Sequence, residues 1–402
     1  MPHIKKMNIL YITYDGLLEP LGQSQVLAYQ EKLSEQFNIV LFSYEKPSDL
    51  KKSDLFLQIK ERISQSSIKW IFRRYHKSPS LISTFYDLAI GIIHCSYLIW
   101  RHDIKVIHAR SYPPALIAVV LKKIFGIKFI FDMRGFWADE RLDGGIWKKD
   151  SAIFKVTKKL EKSFLINADH IVSLTYAAVN EIKKFPYIKK DTLPISVIST
   201  CVDLDTFAPR SKDASSENFV LGYLGTVGTW YLFEETVRAF KMLLIERPNS
   251  KILIVNRDEH VFILHTLKKF NVSLDSVELI SANHVDVPSL IKRMHATVFF
   301  LKPLFSKQAA APTKLGEFLA SGVPALTNDG VGDMAYIIKE NQTGIAIKNF
   351  NDITIKNGLI DLIALAEQED IINRCRKTAE KNFALNEGIE SYAKIYNHLV
   401  AQ

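Results

Sequence analysis

The densest group of residues that could bind a ligand lies in residues 307–324, KQAAAPTKLGEFLASGVP. Thr313 is a residue type that commonly begins a helix, and Gly322 is one that commonly ends it. The free N–H groups at such a helix start could bind a diphosphate, and Glu317, one turn later, could accept hydrogen bonds from the hydroxyls of a ribose. An ordinary capped helix explains Thr313 and Gly322 equally well. It does not explain Lys314, because the helix dipole disfavours a cation at that end.

Two consecutive predicted strands each end in an arginine. The segment KVIHARS carries His108 and Arg110, and the segment FDMRG carries Asp132 and Arg134. Arginine suits phosphate oxygens because its guanidinium can donate two parallel hydrogen bonds. A single buried histidine usually packs in a core, so these residues indicate a site only when they are taken together.

A glycine-containing turn, DGLLEPLGQS, follows the first predicted strand and includes Gly22. Glycine at a strand-to-helix turn lets a ligand approach the backbone, although a tight turn alone would also require it. The chain contains no G-x-G-x-x-G and no phosphate-loop lysine. A dehydrogenase that uses NAD is therefore the weaker alternative.

Metal and disulfide chemistry are weakly indicated. Asp203 and Asp205 form a D-x-D that could hold a divalent cation, but no third carboxylate stands nearby and such pairs are common by chance. The three cysteines, Cys95, Cys201 and Cys375, are far apart and form no CxxC. We therefore expect no metal, no cofactor and a reducing, cytoplasmic compartment.

The remaining sequence alternates short apolar strands with helices, as in a parallel sheet covered on both faces. We predict strands at 7–14, 38–44, 105–109, 128–132 and 170–174 in the first half and at 219–225, 251–256, 277–280, 297–301 and 323–327 in the second. The fold class is thus α/β, with two doubly wound Rossmann-like domains that face a central cleft. The predicted boundaries are 1–200 for an acceptor-side domain, 201–218 for a linker, 219–385 for a donor-binding domain and 386–402 for a helix that crosses back.

Charge and hydropathy bear on the partners. Lys and Arg number 52 against 43 Asp and Glu, a net charge of +9, and residues 1–130 hold 18 basic and 10 acidic side chains. No nucleic-acid-binding motif accompanies this charge, so we expect no nucleic acid as partner. Residues 68–75, IKWIFRRY, would form a basic aromatic helix that either lies on an anionic membrane or packs in the core. The apolar stretch 88–100 is too short to span a bilayer, and no signal peptide is visible.

Five segments in order resemble glycosyltransferase family 4, the retaining GT-B glycosyltransferases, and most of all members that build bacterial surface polysaccharides. They are MNILYITYDGLLEPLGQSQ, KVIHARSYPPALIA with KFIFDMRGFWADERLDGG, VISTCVDLDTF, LGYLGTVGTW and APTKLGEFLASGVPALTN. The resemblance implies metal-independent transfer of a sugar, with retained configuration, from a nucleotide-diphosphate donor to a glycan or lipid-linked acceptor. The scarce cysteines predict a cytoplasmic location, and the basic first third of the chain favours the inner face of the plasma membrane, which suits a lipid-linked acceptor.

The resemblance assigns roles to individual residues. Glu317 matches the glutamate that holds the ribose, and the backbone around Thr313 and Lys314 would hold the diphosphate. Gly22 would close over the donor, and Leu315 and Arg257 complete the predicted donor-binding residues. The predicted catalytic residues are Arg110 and His108, at the segment that matches the one facing the donor sugar, and Arg134, which is chosen for its charge and its place at the next strand end.

Two departures from the family pattern favour alternatives. Ala309 stands where the family carries a glutamate beside the transferred sugar, and the segment after Gly225 lacks the Arg and Lys found in many members. Charge on the diphosphate would then fall to other cations, in the order Arg134, Arg110, Lys314, and then Lys302 or Arg257. A catalytically impaired sugar-nucleotide-binding protein and a GT-B epimerase or phosphorylase remain as alternatives.

Overall fold

The computed structural model describes residues 6–76, 78, 80–188, 194–211 and 218–401. The chain divides into two compact units. The first comprises Met1–Ile198 together with Asn386–Gln402, and the second comprises Ser199–Leu385.

The first unit is a seven-stranded parallel sheet with helices around it. Its strands are β1 (Asn8–Thr13), β2 (Asn38–Glu45), β3 (Ile68–Arg74), β4 (Val106–Arg110), β5 (Lys128–Asp132), β6 (His170–Ser173) and β7 (Ile195–Val197), in the order β3-β2-β1-β4-β5-β6-β7. Its helices are α1 (Pro20–Gly22), α2 (Ala28–Leu33), α3 (Pro47–Leu50), α4 (Ser53–Ser64), α5 (Ser80–His102), α6 (Tyr112–Phe125), α7 (Trp137–Asp143), α8 (Ala152–Asn167) and α9 (Tyr176–Ile182). The central strands are buried, as their continuous apolar sequences predict.

The second unit repeats the plan with six parallel strands. These are β8 (Val220–Leu224), β9 (Lys251–Val255), β10 (Val277–Ile280), β11 (Ala296–Val298), β12 (Ala325–Asn328) and β13 (Gly344–Ile347), in the order β10-β9-β8-β11-β12-β13. Its helices are α10 (Phe233–Glu246), α11 (His260–Lys269), α12 (Val287–Ile291), α13 (Thr313–Ala320), α14 (Met334–Glu340), α15 (Asp352–Ala366) and α16 (Ile371–Phe383), and the chain then continues into α17 (Leu385–Ala401). The helix predicted at 313–321 corresponds to α13.

In both sheets the strand order reverses beside the first strand of the unit, at β1/β4 and at β8/β11. Ligands of open parallel sheets bind at the carboxyl ends of the strands near such a reversal. The residues that follow β1, β4, β8 and β11 are therefore the ones to examine for a site.

The predicted helix at 68–75 is wrong, because Ile68–Arg74 forms β3, a strand at the edge of the first sheet. It pairs with β2 from Ile39↔Ile68 to Glu45↔Arg74. The surface helix that was to carry basic and aromatic residues onto a membrane therefore does not exist.

Helix α5 is longer than the apolar stretch noted in the sequence. Within the described residues, Ile82–His102 is the one helix whose length and apolar composition would suffice for a membrane span, with a mean hydropathy of 1.4 and 39% of its most apolar stretch buried. Core helices of globular proteins meet the same criterion.

The two units divide at Ile198 and again at Leu385. The predicted linker 201–218 lies within the second unit, and residues 212–217 of it are outside the described residues. The last seventeen residues belong to the first unit, where α17 packs its two buried tyrosines, Tyr392 and Tyr396, against His108.

Candidate functional site

Helix α13 places two charged residues inside the second unit. Lys314 and Glu317 lie in its first turns, and each is only 8% exposed. Pro312 precedes the helix in an extended conformation, and the first N–H groups of a helix have no acceptor within the helix itself. A helix start with a buried lysine and a buried glutamate can bind an anion and a hydroxyl pair close together.

The Lys314 side chain runs from α13 to the end of β8. Its ammonium donates a hydrogen bond to the carbonyl of Leu224 and lies 3.8 Å from the ring centroid of Tyr231. A cation over an aromatic face is stabilised by the ring's quadrupole. These contacts explain how a helix start tolerates the lysine, because its charge is held away from the helix axis by the strand and the ring.

Burial shifts the pKa values of both residues towards neutrality. It lowers the pKa of Lys314 to about 7, an effect that Glu317 opposes. It raises the pKa of Glu317 to about 7, and here Lys314 acts in the opposite direction. Near pH 7 each group can therefore gain or lose a proton when a charged ligand arrives.

The loop after β8 passes close to Lys314 and is fixed by hydrogen bonds to Glu259. Gly225 has a φ of +90°, and a Cβ there would lie 3.3 Å from Nζ of Lys314. The carboxylate of Glu259 accepts a hydrogen bond from the N–H of Val227 (2.9 Å) and another from the side-chain amide of Asn256 (3.1 Å). Sequence reasoning missed Glu259, which acts through a contact that no local motif reveals.

A second buried cation stands near Ala309. Lys307 is 4% exposed, and its ammonium lies 3.9 Å from the ring centroid of Trp230. Ala309 itself is buried at the end of a short 3₁₀ turn, Phe305–Ala309. Lys307 opens the 307–324 segment but was not among the cations predicted to replace those missing after Gly225.

In the first unit the ends of β1, β4 and β5 bring four charged side chains together. Nε of Arg110 donates to Asp15 at 2.9 Å, and its Nη1 lies 3.8 Å from Asp132. Arg134, with a φ of +58°, lies 3.8 Å from the other oxygen of Asp132, which accepts no hydrogen bond from any residue that the structure describes. Burial would raise the pKa of Asp132, but Arg134, His108 and Arg110 outweigh it and lower the pKa to about 2.

His108 lies beneath this cluster. Its side chain is 1% exposed, with Nδ1 2.7 Å from the hydroxyl of Tyr396 and Nε2 3.4 Å from Asp132. Burial lowers its pKa, so the ring is neutral at pH 7. Among the predicted catalytic residues, Arg134 is the most exposed, and the contacts of His108 favour a role in positioning Asp132.

Gly22 packs closely within the first unit. A Cβ at this position would clash with the carbonyl of Gly16. The Gly16 turn is held by Glu45, which accepts hydrogen bonds from the N–H groups of Leu17 (2.8 Å) and Leu18 (3.2 Å). Sequence reasoning also missed Glu45, a buried carboxylate whose pKa is raised by that burial.

The other predicted residues are spread around the second unit. Leu315 is buried in the core, whereas Arg257 and Lys302 are exposed. Asp203 caps its own turn by accepting hydrogen bonds from the N–H of Asp205 (3.0 Å) and the hydroxyl of Thr206 (2.8 Å). Within the described ranges, no three His, Cys, Asp or Glu side chains are grouped as a metal site would need.

A match to a known protein family lies within the second unit. Residues 205–381 match the family model described as “Glycosyl transferases group 1”. The predicted enzyme class, a glycosyltransferase, is thereby confirmed. The matched residues include Gly225, Lys307, Lys314 and Glu317. No curated protein matches the chain by sequence.

Solved structures share the architecture of this glycosyltransferase over nearly its whole length. A glycosyltransferase from Rickettsia africae is 15% identical with a TM-score of 0.72, covering 98% of this chain and 99% of that one. HepE from Anabaena, solved with UDP, is 13% identical with a TM-score of 0.72, covering 98% and 100%. The lipopolysaccharide outer core galactosyltransferase WaaB is 15% identical with a TM-score of 0.63, covering 96% and 100%. These likenesses confirm the predicted GT-B class of two Rossmann-like domains.

Proposed function

We propose that the protein is a retaining, metal-independent glycosyltransferase that moves a sugar from a nucleoside-diphosphate sugar to a hydroxyl of a glycan or lipid-linked acceptor. The observation that carries the proposal is the buried pair Lys314 and Glu317 at the start of α13, inside the region that matches the group 1 model. UDP in the Anabaena structure supports the donor class.

The donor would bind to the second unit. The N–H groups at Thr313 and Lys314 would face the diphosphate, and Glu317 would accept hydrogen bonds from the ribose hydroxyls. Lys307 is a further cation for the diphosphate, because it lies buried on the ring of Trp230. Its positive charge would replace that of the Arg and Lys that many family members carry after Gly225.

The reaction needs no group beyond the two substrates. The bond between the anomeric carbon and the diphosphate oxygen breaks, and its electron pair leaves with the diphosphate. The acceptor oxygen bonds to the same face of the sugar, and its proton passes to the departing phosphate. Preformed cations and N–H groups stabilise the charge that develops on the leaving group.

The acceptor we propose is a bacterial surface glycan or its lipid-linked precursor, reached from the cytoplasmic face of the plasma membrane. The basic first third of the chain supports contact with an anionic surface. WaaB, which shares the fold, is by its name a galactosyltransferase of lipopolysaccharide.

Turnover in EDTA tests the proposal. The full chain is incubated with a panel of UDP-, GDP- and ADP-sugars, and released nucleoside diphosphate and sugar are followed by NMR. We expect one donor class to release its diphosphate without metal, with the α configuration of the donor retained in the first product. Turnover only after Mg²⁺ or Mn²⁺ is added, or an inverted first product, would overturn it.

A catalytically impaired sugar-nucleotide binder is the second candidate, and Ala309 favours it because the side chain that family members place beside the donor sugar is missing. Binding of a nucleoside diphosphate without any turnover would select it. Restoration of turnover by Ala309→Glu would then identify the missing carboxylate as the cause.

A further inference from the structure

Helix α5 carries an exposed face that is mainly apolar, with the exposed Arg101 at its C-terminal end. At about 3.6 residues per turn, the positions of its exposed large residues fall on one side of the helix. They are Ile82, Phe85, Tyr86, Ile93, Tyr97 and Trp100, each 55–76% exposed. Surface helices normally turn polar residues to water, so this face has the composition of one that is covered.

The opposite side of α5 is fastened to the sheet of the first unit. The carbonyl of Asp87 accepts a hydrogen bond from the hydroxyl of Tyr44 at 2.6 Å, and the ring of His94 stacks on Phe42 at 6.4 Å. The helix is therefore part of the unit's own fold. Its apolar face can lie along an interface, but the helix cannot leave the sheet without breaking these contacts.

A cavity of about 380 Å³ adjoins this face, among α5, α6, α7 and α8. Phe85 belongs to both the exposed face and the cavity, and Leu116, Trp147, Val156 and Leu160 line its other sides. No carboxylate is among its lining residues. The volume lies within the roughly 300–1,000 Å³ of small-molecule sites, and the lining suits a hydrocarbon.

One basic side chain lines the cavity, and three exposed lysines adjoin its lining residues in sequence. Arg141 lines it and stacks its guanidinium 5.2 Å from the ring centroid of Trp137. Lys148 and Lys149 follow Trp147 directly and are exposed, as is Lys155, next to Val156. An apolar chamber lined by an arginine, with exposed lysines next to its lining residues in sequence, matches an acyl chain attached to an anionic headgroup.

We propose that the exposed face of α5 and the adjoining cavity form a docking surface for an anionic phospholipid bilayer, with one acyl chain entering the cavity. The proposal rests on the membrane-associated part of the proposed function. It concerns a surface of the first unit, whereas the donor residues belong to the second, and its test contains no sugar nucleotide. The experiments therefore distinguish a failure of the membrane-docking proposal from a failure of the glycosyltransferase proposal.

Vesicle sedimentation of the full chain tests the surface. We expect binding to vesicles of phosphatidylglycerol mixed with phosphatidylcholine, weak binding to phosphatidylcholine alone, and weakening by salt. Phe85→Glu should lower the partition coefficient roughly tenfold, since it removes one buried aromatic ring from the interface. Val261→Glu is the matched control, because Val261 is 85% exposed in the second unit, and it should bind like the wild type.

Fluorescence quenching by phospholipids brominated on the acyl chain tests the cavity. Trp147 lies in the cavity, so Trp147→Phe should remove part of the quenching, whereas Trp230→Phe should leave it unchanged. Equal binding to both vesicle types that Phe85→Glu does not alter, or quenching that Trp147→Phe does not change, would overturn the proposal. A lipid-free dimer that Phe85→Glu dissociates would show that a second copy covers this face instead.

Discussion

The pKa values of Lys314 and Glu317 are shifted because both side chains are buried at the start of α13. Each is only slightly exposed, and each pKa is moved to about 7 mainly by burial. A bound diphosphate would favour the protonated lysine, and ribose hydroxyls would favour the ionised glutamate. Donor binding should therefore depend on pH through both residues.

We predict that the affinity for UDP is greatest near pH 7. It should fall below pH 7 as Glu317 becomes protonated and stops accepting hydrogen bonds from the ribose. It should fall above pH 7 as Lys314 loses its charge. Glu317→Gln should reduce the acid limb to the part caused by protonation of the UDP phosphate, and Lys314→Met should remove the alkaline limb, each with a loss of about tenfold at pH 7. Calorimetric titration with UDP from pH 5.5 to 9 measures both limbs.

The control is Lys268→Met, which removes an exposed lysine of α11 and preserves the titration of UDP itself. Its profile should follow that of the wild type. A flat profile in the wild type, or two limbs that persist unchanged in the Glu317 and Lys314 variants, would contradict the assignment.

Local sequence predicted part of this pair and missed the rest. A helix start with Thr313 and a glutamate one turn later could be read from residue types alone. The partners of Lys314, the Leu224 carbonyl and the Tyr231 ring, lie at the end of another strand. Only the packed sheet brings them within reach, as it does Lys307 and Trp230.

At the scale of elements, α17 completes the first unit from the far end of the chain. Tyr396 is fully buried and lies 2.7 Å from Nδ1 of His108, and the hydroxyl of Tyr392 donates to Asp132 at 3.2 Å. The helix thereby holds the side chains beneath the β4 and β5 ends. It acts on the Arg110 and Arg134 cluster through His108 and Asp132.

We predict that Tyr396→Phe lowers the free energy of unfolding by about 1–3 kcal/mol, because Nδ1 of the buried His108 loses its partner. Urea unfolding followed by circular dichroism measures the change. Tyr336→Phe is the control, since Tyr336 is 69% exposed and should change stability by no more than about 0.5 kcal/mol. Equal stability of the two variants would show that α17 does not depend on this contact.

Elements were predicted well where their apolar pattern was unambiguous and poorly where it was short. Ile68–Arg74 mixes basic and aromatic residues in seven positions, a length that suits a strand as well as two helical turns. The segment forms a strand instead of a helix because it pairs with β2 along its whole length. That pairing is a tertiary contact, so no periodicity within the segment could reveal it.

At the scale of the whole molecule, the two-unit α/β plan followed from the repeated strand–helix rhythm. The positions of the site residues followed less well, because carboxyl ends of strands were identifiable but side-chain directions were not. His108 was expected at a reacting centre and is enclosed by Tyr396 and Asp132.

We propose that the second unit binds a nucleoside diphosphate through the start of α13 without a metal. Melting temperatures measured in EDTA with UDP, GDP, ADP, CMP, NAD and their sugar conjugates test it most directly, because a ligand of the folded state raises the melting temperature by mass action. We predict that one nucleoside diphosphate and its sugar conjugates raise it in the wild type and that Glu317→Ala removes most of the increase. No increase with any of them, an increase with NAD alone, or an increase that Glu317→Ala leaves intact would contradict the claim.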